Sequence, residues 1–361
     1  MARIIVSPLS WGLGHVTRDA PIVDYLLEKG HEIVFVATGR ALTYARRRYA
    51  DCRAIELPDM PPPYSKTRFF VPMFLKFIPR MLRAIREEHE RSQRIFDEVK
   101  PDLIFSDNRY GIWSRDIPSF ILSHQIRLKT PPALSPLEVF TEAWARSHLK
   151  HFTRVIVPDY DGQQTLSGRL SHDLCFWSRD ELYYAGQLST IRPAELPQDV
   201  AVFISLSGPE PQRTVLEEII RQQVASIEHM GKIVVTLGKP EAANKETLGQ
   251  NVECFSFLPS ERQQEMMNRA RLVVSRSGYT TVMELAELGR RALYIPTPGQ
   301  TEQEYLSRYY EEHGMYHSVS QYKLDLVRDV EAASRFPGFK APRSTAENVQ
   351  RLYNDIFAPN L

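Results

Sequence analysis

The chain has 361 residues, 43% of them hydrophobic, which is enough for two packed cores and too long for one ordinary domain. Forty-five Lys and Arg against forty-four Asp and Glu leave a net charge of +1, so no global field favours nucleic acid as a partner. Cys52, Cys175 and Cys254 form neither a CxxC pair nor a metal-ligand cluster, and they fit a reducing cytoplasm.

The N-terminus enters an apolar run at once, without a basic leader or a small-residue cleavage site, so secretion is not expected. Apolar runs then alternate with helical-period segments, the pattern of an α/β fold with parallel sheets wrapped by helices. Strands are predicted at 3–7, 32–37, 102–106, 119–123 and 154–157. Between the first two, Ile22, Val23, Leu26 and Leu27 share one helix face, and Gly30 closes that helix.

The loop Ser7-Pro8-Leu9-Ser10-Trp11-Gly12-Leu13-Gly14-His15 follows the first strand. It therefore sits at the carboxyl edge of the sheet, where open α/β sheets bind ligands. It is half of a dinucleotide fingerprint, but Thr17 stands where the third glycine is needed. Thr38-Gly39-Arg40 also replaces the acidic residue that would hold a ribose, so NAD is disfavoured. His15, in an exposed and mobile turn, suits a general base. Asp107, ending the strand after Pro101, either orients that imidazole or caps the next turn with Asn108.

The pattern restarts with strands at 201–205, 232–237, 253–257, 271–275 and 292–295, and the stretch from Gly186 to Pro197 reads as connector. The expected domains are 1–186, 187–345 and a closing helix at 346–361 with Val349, Leu352, Tyr353 and Ile356 on one side. Leu272 to Gly289 is strand, tight turn and helix. Ser277 and Gly278 present backbone N–H groups at the helix N-terminus, a natural pyrophosphate site. Glu284, on that helix, is placed to accept from two adjacent hydroxyls such as those of a ribose. Ser207 and Gly208 form a similar turn after the first strand of this half.

Gly-Leu-Gly-His at 12–15, Arg-Ser-Gly-Tyr-Thr-Thr-Val-Met-Glu-Leu at 276–285 and Pro-Gly-Gln-Thr-Glu-Gln-Glu-Tyr at 298–305 resemble the GT-B glycosyltransferases. The chain is similar to the bacterial family-28 enzymes that move N-acetylglucosamine from UDP to the lipid-linked peptidoglycan precursor. The resemblance implies two Rossmann-like domains facing each other across a cleft, with the last helix returning to the first domain. It implies a donor site in which Glu284 holds the ribose, Ser277, Gly278, Tyr279, Ser207 and Gly208 receive the phosphates, and the backbone of Phe257 and Leu258 reads uracil. Gln303 and Glu304 match the pair that contacts the donor sugar. The peptidoglycan enzymes carry two glutamines there, so Glu304 leaves the sugar open.

The resemblance further implies His15 as the base, Asp107 as its partner and a single inverting displacement with no metal ion and no cofactor beyond the UDP-sugar. Asp159-Tyr160-Asp161 spells a DxD metal pair, but it follows a strand of the first half and reads as turn chemistry. The acceptor is expected on the first domain, near Gly12, Gly14, Asn108, Arg109, Tyr110, His124, Gln125 and Arg127.

The insertion from Pro58 to Arg94 sets aromatics and Met73 among Lys66, Arg68, Lys76, Arg80, Arg83 and Arg86. Residues 66–86 either touch a membrane, which would suit a lipid-linked acceptor and a place at the inner face of the cytoplasmic membrane, or pack on the sheet. The stretch from Phe69 to Leu82 is only about fourteen residues and holds Pro72 and Pro79, so it does not span ~30 Å of hydrocarbon. Two other readings stay open: a UDP-N-acetylglucosamine 2-epimerase, and a nucleotide-sugar-binding module without turnover.

Overall fold

Runs such as Ile4-Ile5-Val6 and Val34-Phe35-Val36 have no polar face to give to water, and they form the doubly covered centre of a parallel sheet. A computed structural model describes residues 1–60, 70–130, 132–162, 164–240 and 244–361, with backbone only at 70–78, 132 and 133. The chain divides into one unit of Met1–Thr190 with Arg343–Leu361 and a second of Ile191–Pro342.

The first unit is a seven-stranded parallel sheet built from β1 (Arg3–Pro8), β2 (Glu32–Ala37), β3 (Arg53–Glu56), β4 (Leu103–Asp107), β5 (Ser119–Leu122), β6 (Arg154–Val157) and β7 (Leu182–Tyr184). Their order is β3-β2-β1-β4-β5-β6-β7. Helices α1 (Leu13–Glu28), α2 (Gly39–Arg48), α3 (Phe70–Val99) and α4 (Glu138–Leu149) supply the crossovers. Successive strands run outward from β1 in one direction and from β4 in the other, so β1 and β4 flank the switch point where such sheets open a crevice. Their register pairs Pro8 with Asp107, which sets the glycine-rich loop beside the end of β4.

Helix α1 buries Ile22, Val23 and Leu26, while Leu27 is half-buried at the rim. Gly30 closes it with φ +79°, donating its N–H to Leu27 O at 2.9 Å.

The second unit repeats the plan with β8 (Val200–Ser205), β9 (Lys232–Thr236), β10 (Lys245–Thr247), β11 (Val252–Phe255), β12 (Ala270–Ser275), β13 (Arg291–Tyr294) and β14 (His317–Ser318). The order is β10-β11-β9-β8-β12-β13-β14, and β10 is antiparallel to β11. Helices α5 (Gln212–Gln223), α6 (Ser260–Arg269), α7 (Tyr279–Leu288), α8 (Thr301–Glu312) and α9 (Leu326–Ala333) cover it. Here the switch point lies between β8 and β12, where Ser205 pairs with Ser275. Helix α10 (Thr345–Leu352) belongs to the first unit and opens on a Ser344/Glu347 capping box. Beyond it Ile356 and Phe357 are buried, with the Phe357 ring 5.8 Å from Phe105 and 5.7 Å from Phe120.

Each sheet has edge strands that the apolar-run pattern did not predict: β3, β7, β10 and β14. They are two to four residues long, and β10 is exposed throughout, so nothing in them had to be apolar. Among the described residues no helix is long and apolar enough to cross a membrane.

Candidate active site

In the first unit the end of β1 delivers His15 as a residue of the first turn of α1, which corrects the expectation of an exposed, mobile loop histidine. Its side chain is 19% exposed, and Nδ1 lies 3.0 Å from Asp107 Oδ1. Gly12, extended at φ −175°, has open space where a side chain would stand, and Gly14 lies in the same helical turn as His15.

Asp107 is fully buried at the end of β4 and is shared with Arg18, three residues beyond His15 on α1. Arg18 Nε donates to Asp107 Oδ2 at 2.7 Å, and Nη2 donates to Oδ1. Burial alone would raise the Asp107 carboxyl, but the Arg18 guanidinium and the His15 ring outweigh it and hold Asp107 well below the usual carboxylate range. His15 Nδ1 also lies 3.1 Å from Arg18 Nη2, which donates only; in the tautomer whose Nδ1–H donates to the accepting Asp107, the Nε2 lone pair is left for a substrate proton.

Arg18 also brings in His124, whose Nδ1 is 3.1 Å from Nη1. Asp19, the next residue along α1, is buried beside Asp107; burial, the Asp107 charge and a hydrogen bond shared with that carboxylate hold it well above the usual range. Sequence reasoning missed Arg18 and Asp19, because on a helix pattern they read as ordinary polar positions. Asn108, half-buried at φ +54°, follows Asp107 and donates its backbone N–H to Leu122 O at 3.1 Å.

Two residues expected at the acceptor are committed elsewhere. Arg109 is 1% exposed, with Nε on Glu88 at 2.8 Å and its Nη groups on the carbonyls of Val36, Leu57 and Pro58. Arg127, 2% exposed, donates to Glu142 at 2.6 and 3.0 Å and to the carbonyls of Arg169, His172 and Asp173. Both tie loops together from inside, and neither has a guanidinium face left for a substrate.

Asp159 accepts from the amides of Tyr160, Leu166 and Ser167 and from His172, while the exposed Asp161 pairs with Arg179 at 2.6 Å, so the DxD carboxylates serve a turn. Of the 66–86 segment, residues 66–69 and the side chains of 70–78 lie outside the described residues. Beyond them Met81 is buried, Leu82 is 41% exposed and Arg86 pairs with Glu90 at 3.0 Å.

In the second unit the ends of β8, β12 and β13 converge. Gly278 caps α7 without a side-chain partner, and the N–H groups of Gly278, Thr280 and Thr281 have no acceptor among the described residues. Orphan donors and a helix dipole together favour an anion, and a Cβ at Gly278 would meet nothing within 4 Å. Ser277 is buried; its hydroxyl donates to Gln303 O and accepts from Ser307, both at 2.9 Å, so only its backbone is free for a ligand. Tyr279 is 4% exposed and packs into the core.

Ser207 and Gly208 are exposed, and Gly208 takes φ +111°, a conformation that requires glycine. A Cβ there would lie 3.4 Å from Thr297 Oγ1, a buried hydroxyl with no partner. Glu284, half-buried on α7, has no hydrogen-bond partner among the described residues, and burial pushes its carboxyl up to about 7.

Gln303 Oε1 accepts from Thr297 N–H and Glu304 Oε1 from Gly299 N–H, each at 2.9 Å. The pair thus holds the 297–299 turn, and among the described residues the Gln303 amide nitrogen has no partner. Phe257 is 44% exposed and Leu258 5%, and the backbone groups of both make no hydrogen bond among the described residues.

Residues 212–355 match the glycosyltransferase family 28 C-terminal domain. An uncharacterized glycosyltransferase of Methanosarcina mazei is 22% identical over 99% of this chain and 96% of its own. The UDP-N-acetylglucosamine--N-acetylmuramyl-(pentapeptide) pyrophosphoryl-undecaprenol N-acetylglucosamine transferase of Clostridium botulinum is 22% identical over 78% of this chain and 75% of its own. Among solved structures, the spinosyn rhamnosyltransferase SpnG complexed with thymidine diphosphate has a TM-score of 0.60 at 15% identity, covering 99% of this chain and 96% of that one.

Proposed function

We propose that this chain, a GT-B glycosyltransferase of the family 28 type, transfers a hexose or N-acetylhexosamine from a UDP-sugar to a hydroxyl acceptor with inversion and without a metal ion. The observation that carries the donor half is a set of unsatisfied groups at one sheet edge. The amides of Gly278, Thr280 and Thr281, the Glu284 carboxyl, the Gln303 amide nitrogen and the backbone of Phe257 and Leu258 have no hydrogen-bond partner among the described residues. These donors and acceptors stand together at a partly exposed sheet edge, and the set suits a ligand that offers phosphates, hydroxyls and a base in turn.

The transfer half rests on His15. Its Nε2 takes the acceptor proton as the hydroxyl oxygen attacks the anomeric carbon, and Asp107 stabilises the imidazolium that forms. The bond from that carbon to the phosphate oxygen breaks on the opposite face, its electron pair leaves with UDP, and one displacement inverts the centre. The N-terminus of α7 receives the added negative charge. A lipid-linked acceptor, with contact to the inner face of the cytoplasmic membrane, is favoured by the Clostridium relative and by the basic, aromatic stretch at 66–86.

A thermal-shift screen tests the donor reading with UDP, UDP-glucose, UDP-N-acetylglucosamine, GDP-mannose, TDP-glucose and NADPH, with and without EDTA. A ligand at a hundredfold excess over its Kd adds ~2.7 kcal/mol to the folded state. The expected result is a shift with UDP compounds that survives EDTA. A shift with NADPH alone, or none at all, refutes the reading.

A further inference from the structure

Four arginines are buried among the described residues, and three of them have a carboxylate: Arg18 with Asp107, Arg109 with Glu88 and Arg127 with Glu142. Arg276 does not. It follows β12 directly, is 2% exposed and donates only to neutral oxygens. Nε reaches Ser207 O at 3.4 Å, Nη1 reaches Ile295 O and Pro296 O at 3.0 and 3.1 Å, and Nη2 reaches Gln212 O and Gln321 Oε1 at 2.9 Å each. Those oxygens come from the turn after β8, the start of α5, the segment after β13 and the stretch before α9. One guanidinium therefore ties together the loops that carry Ser207, Gly208 and Thr297.

A buried charge without a counter-ion is expensive, and neutral acceptors repay only part of its lost hydration. The strain shows in the guanidinium itself, which burial pulls down to about 10. A second observation sits directly beside it. Gly208 rests against the guanidinium, 3.7 Å from Nε to a built Cβ, and the same Cβ would lie 3.4 Å from the unpartnered hydroxyl of Thr297. A missing negative charge and a missing hydrogen-bond partner thus adjoin one exposed glycine turn.

We propose that Arg276 is a positioning residue for the leaving group: the donor's diphosphate supplies the counter-charge that the protein withholds, and the guanidinium shapes the turns that receive it. This rests on the donor reading above and deepens it. All five guanidinium N–H groups are already engaged, so Arg276 acts through its field and through the turns, not by touching phosphate. As the sugar–phosphate bond breaks, its electron pair passes to the diphosphate, which gains one negative charge. A fixed cation behind the turn therefore favours the transition state over the bound donor.

The test compares UDP with uridine, by calorimetry and by NMR titration, on the wild type, Arg276→Met and Arg276→Lys. TDP and thymidine replace them if the wild type prefers thymidine diphosphate. Arg276→Met is expected to weaken the diphosphate roughly 10- to 100-fold while the nucleoside changes less than about twofold. Arg276→Lys, which restores charge without the fork, is expected to recover most of the loss. Parallel weakening of diphosphate and nucleoside, or no weakening of either, assigns Arg276 a purely structural role and overturns the proposal. If the Met variant does not fold, the Lys variant decides: diphosphate binding within about fivefold of wild type supports the charge, and an equal loss for both ligands refutes it. A wild type that binds no nucleoside diphosphate overturns the donor reading together with this one, whereas an unchanged diphosphate-to-nucleoside ratio in a binding-competent variant overturns this one alone.

Discussion

Glu284→Gln separates what the donor site contributes to stability from what it contributes to binding. The carboxyl is raised from an ordinary 4.5 to about 7 by burial. The folded chain therefore holds this proton more tightly than the unfolded chain, so the group's stabilising contribution is complete below about pH 4.5 and is lost as pH rises through about 7. A rise of that size corresponds to about 3 kcal/mol at most. Glu284 keeps some solvent access, so roughly half of that is the working value.

Glutamine keeps the shape without the titration. In the absence of ligand, Glu284→Gln should match wild type at pH 4.5 and exceed it at pH 8 by about 1.5 kcal/mol, roughly 3–6 °C in Tm for a unit of this size. Urea titrations and calorimetry at both pH values read the difference directly, and groups common to both proteins cancel. The same variant should bind UDP roughly 10- to 100-fold more weakly at pH 8, because a charge-assisted acceptor for the ribose hydroxyls is gone. A variant equally stable relative to wild type at both pH values would refute the burial argument; one that is more stable at pH 8 yet binds UDP normally would remove Glu284 from the donor site.

His15→Asn should lower kcat roughly 100- to 10,000-fold while UDP affinity, measured by calorimetry, stays within about twofold. Asp107→Asn leaves Arg18 buried without its carboxylate and should lose about 3–5 kcal/mol in urea unfolding; adding Arg18→Met should recover part of that loss, and a strictly additive double variant would refute the pairing. Gly278→Ala should leave Tm unchanged, since its Cβ meets nothing and φ is −69°, yet weaken UDP binding at the helix terminus. Gly238→Ala should lower Tm instead, since φ is +65° and its Cβ would stand 2.5 Å from Leu206 O.

The central strands and the glycine turns were legible because each has a local signature: a doubly buried apolar run, or a small residue between strand and helix. The four edge strands lacked one, since an edge strand needs only partial burial. Charged side chains failed differently. Arg109 and Arg127 stand just after strand ends, where ligand-binding arginines also stand, and only tertiary structure shows their guanidinium groups turned inward onto carbonyls. The same blindness hid Arg18 and Arg276, whose partners lie 89 residues away at Asp107 and 69 residues away at Ser207. A pairing of His15 with Asp107 could be offered in advance, beside a capping role for Asp107, because both lie at the carboxyl edge of the same parallel sheet, one just after β1 and one ending β4.

The chain leaves the first unit at Thr190 and re-enters it at Arg343. During vectorial synthesis that unit's sheet emerges long before Phe357, which fills the space against Phe105 and Phe120. The nascent first unit therefore waits, with an aromatic socket unfilled, while some 150 further residues are translated. A message cut short upstream of Phe357 therefore yields a first unit that lacks this core side chain, even where every residue of the candidate active site has been made.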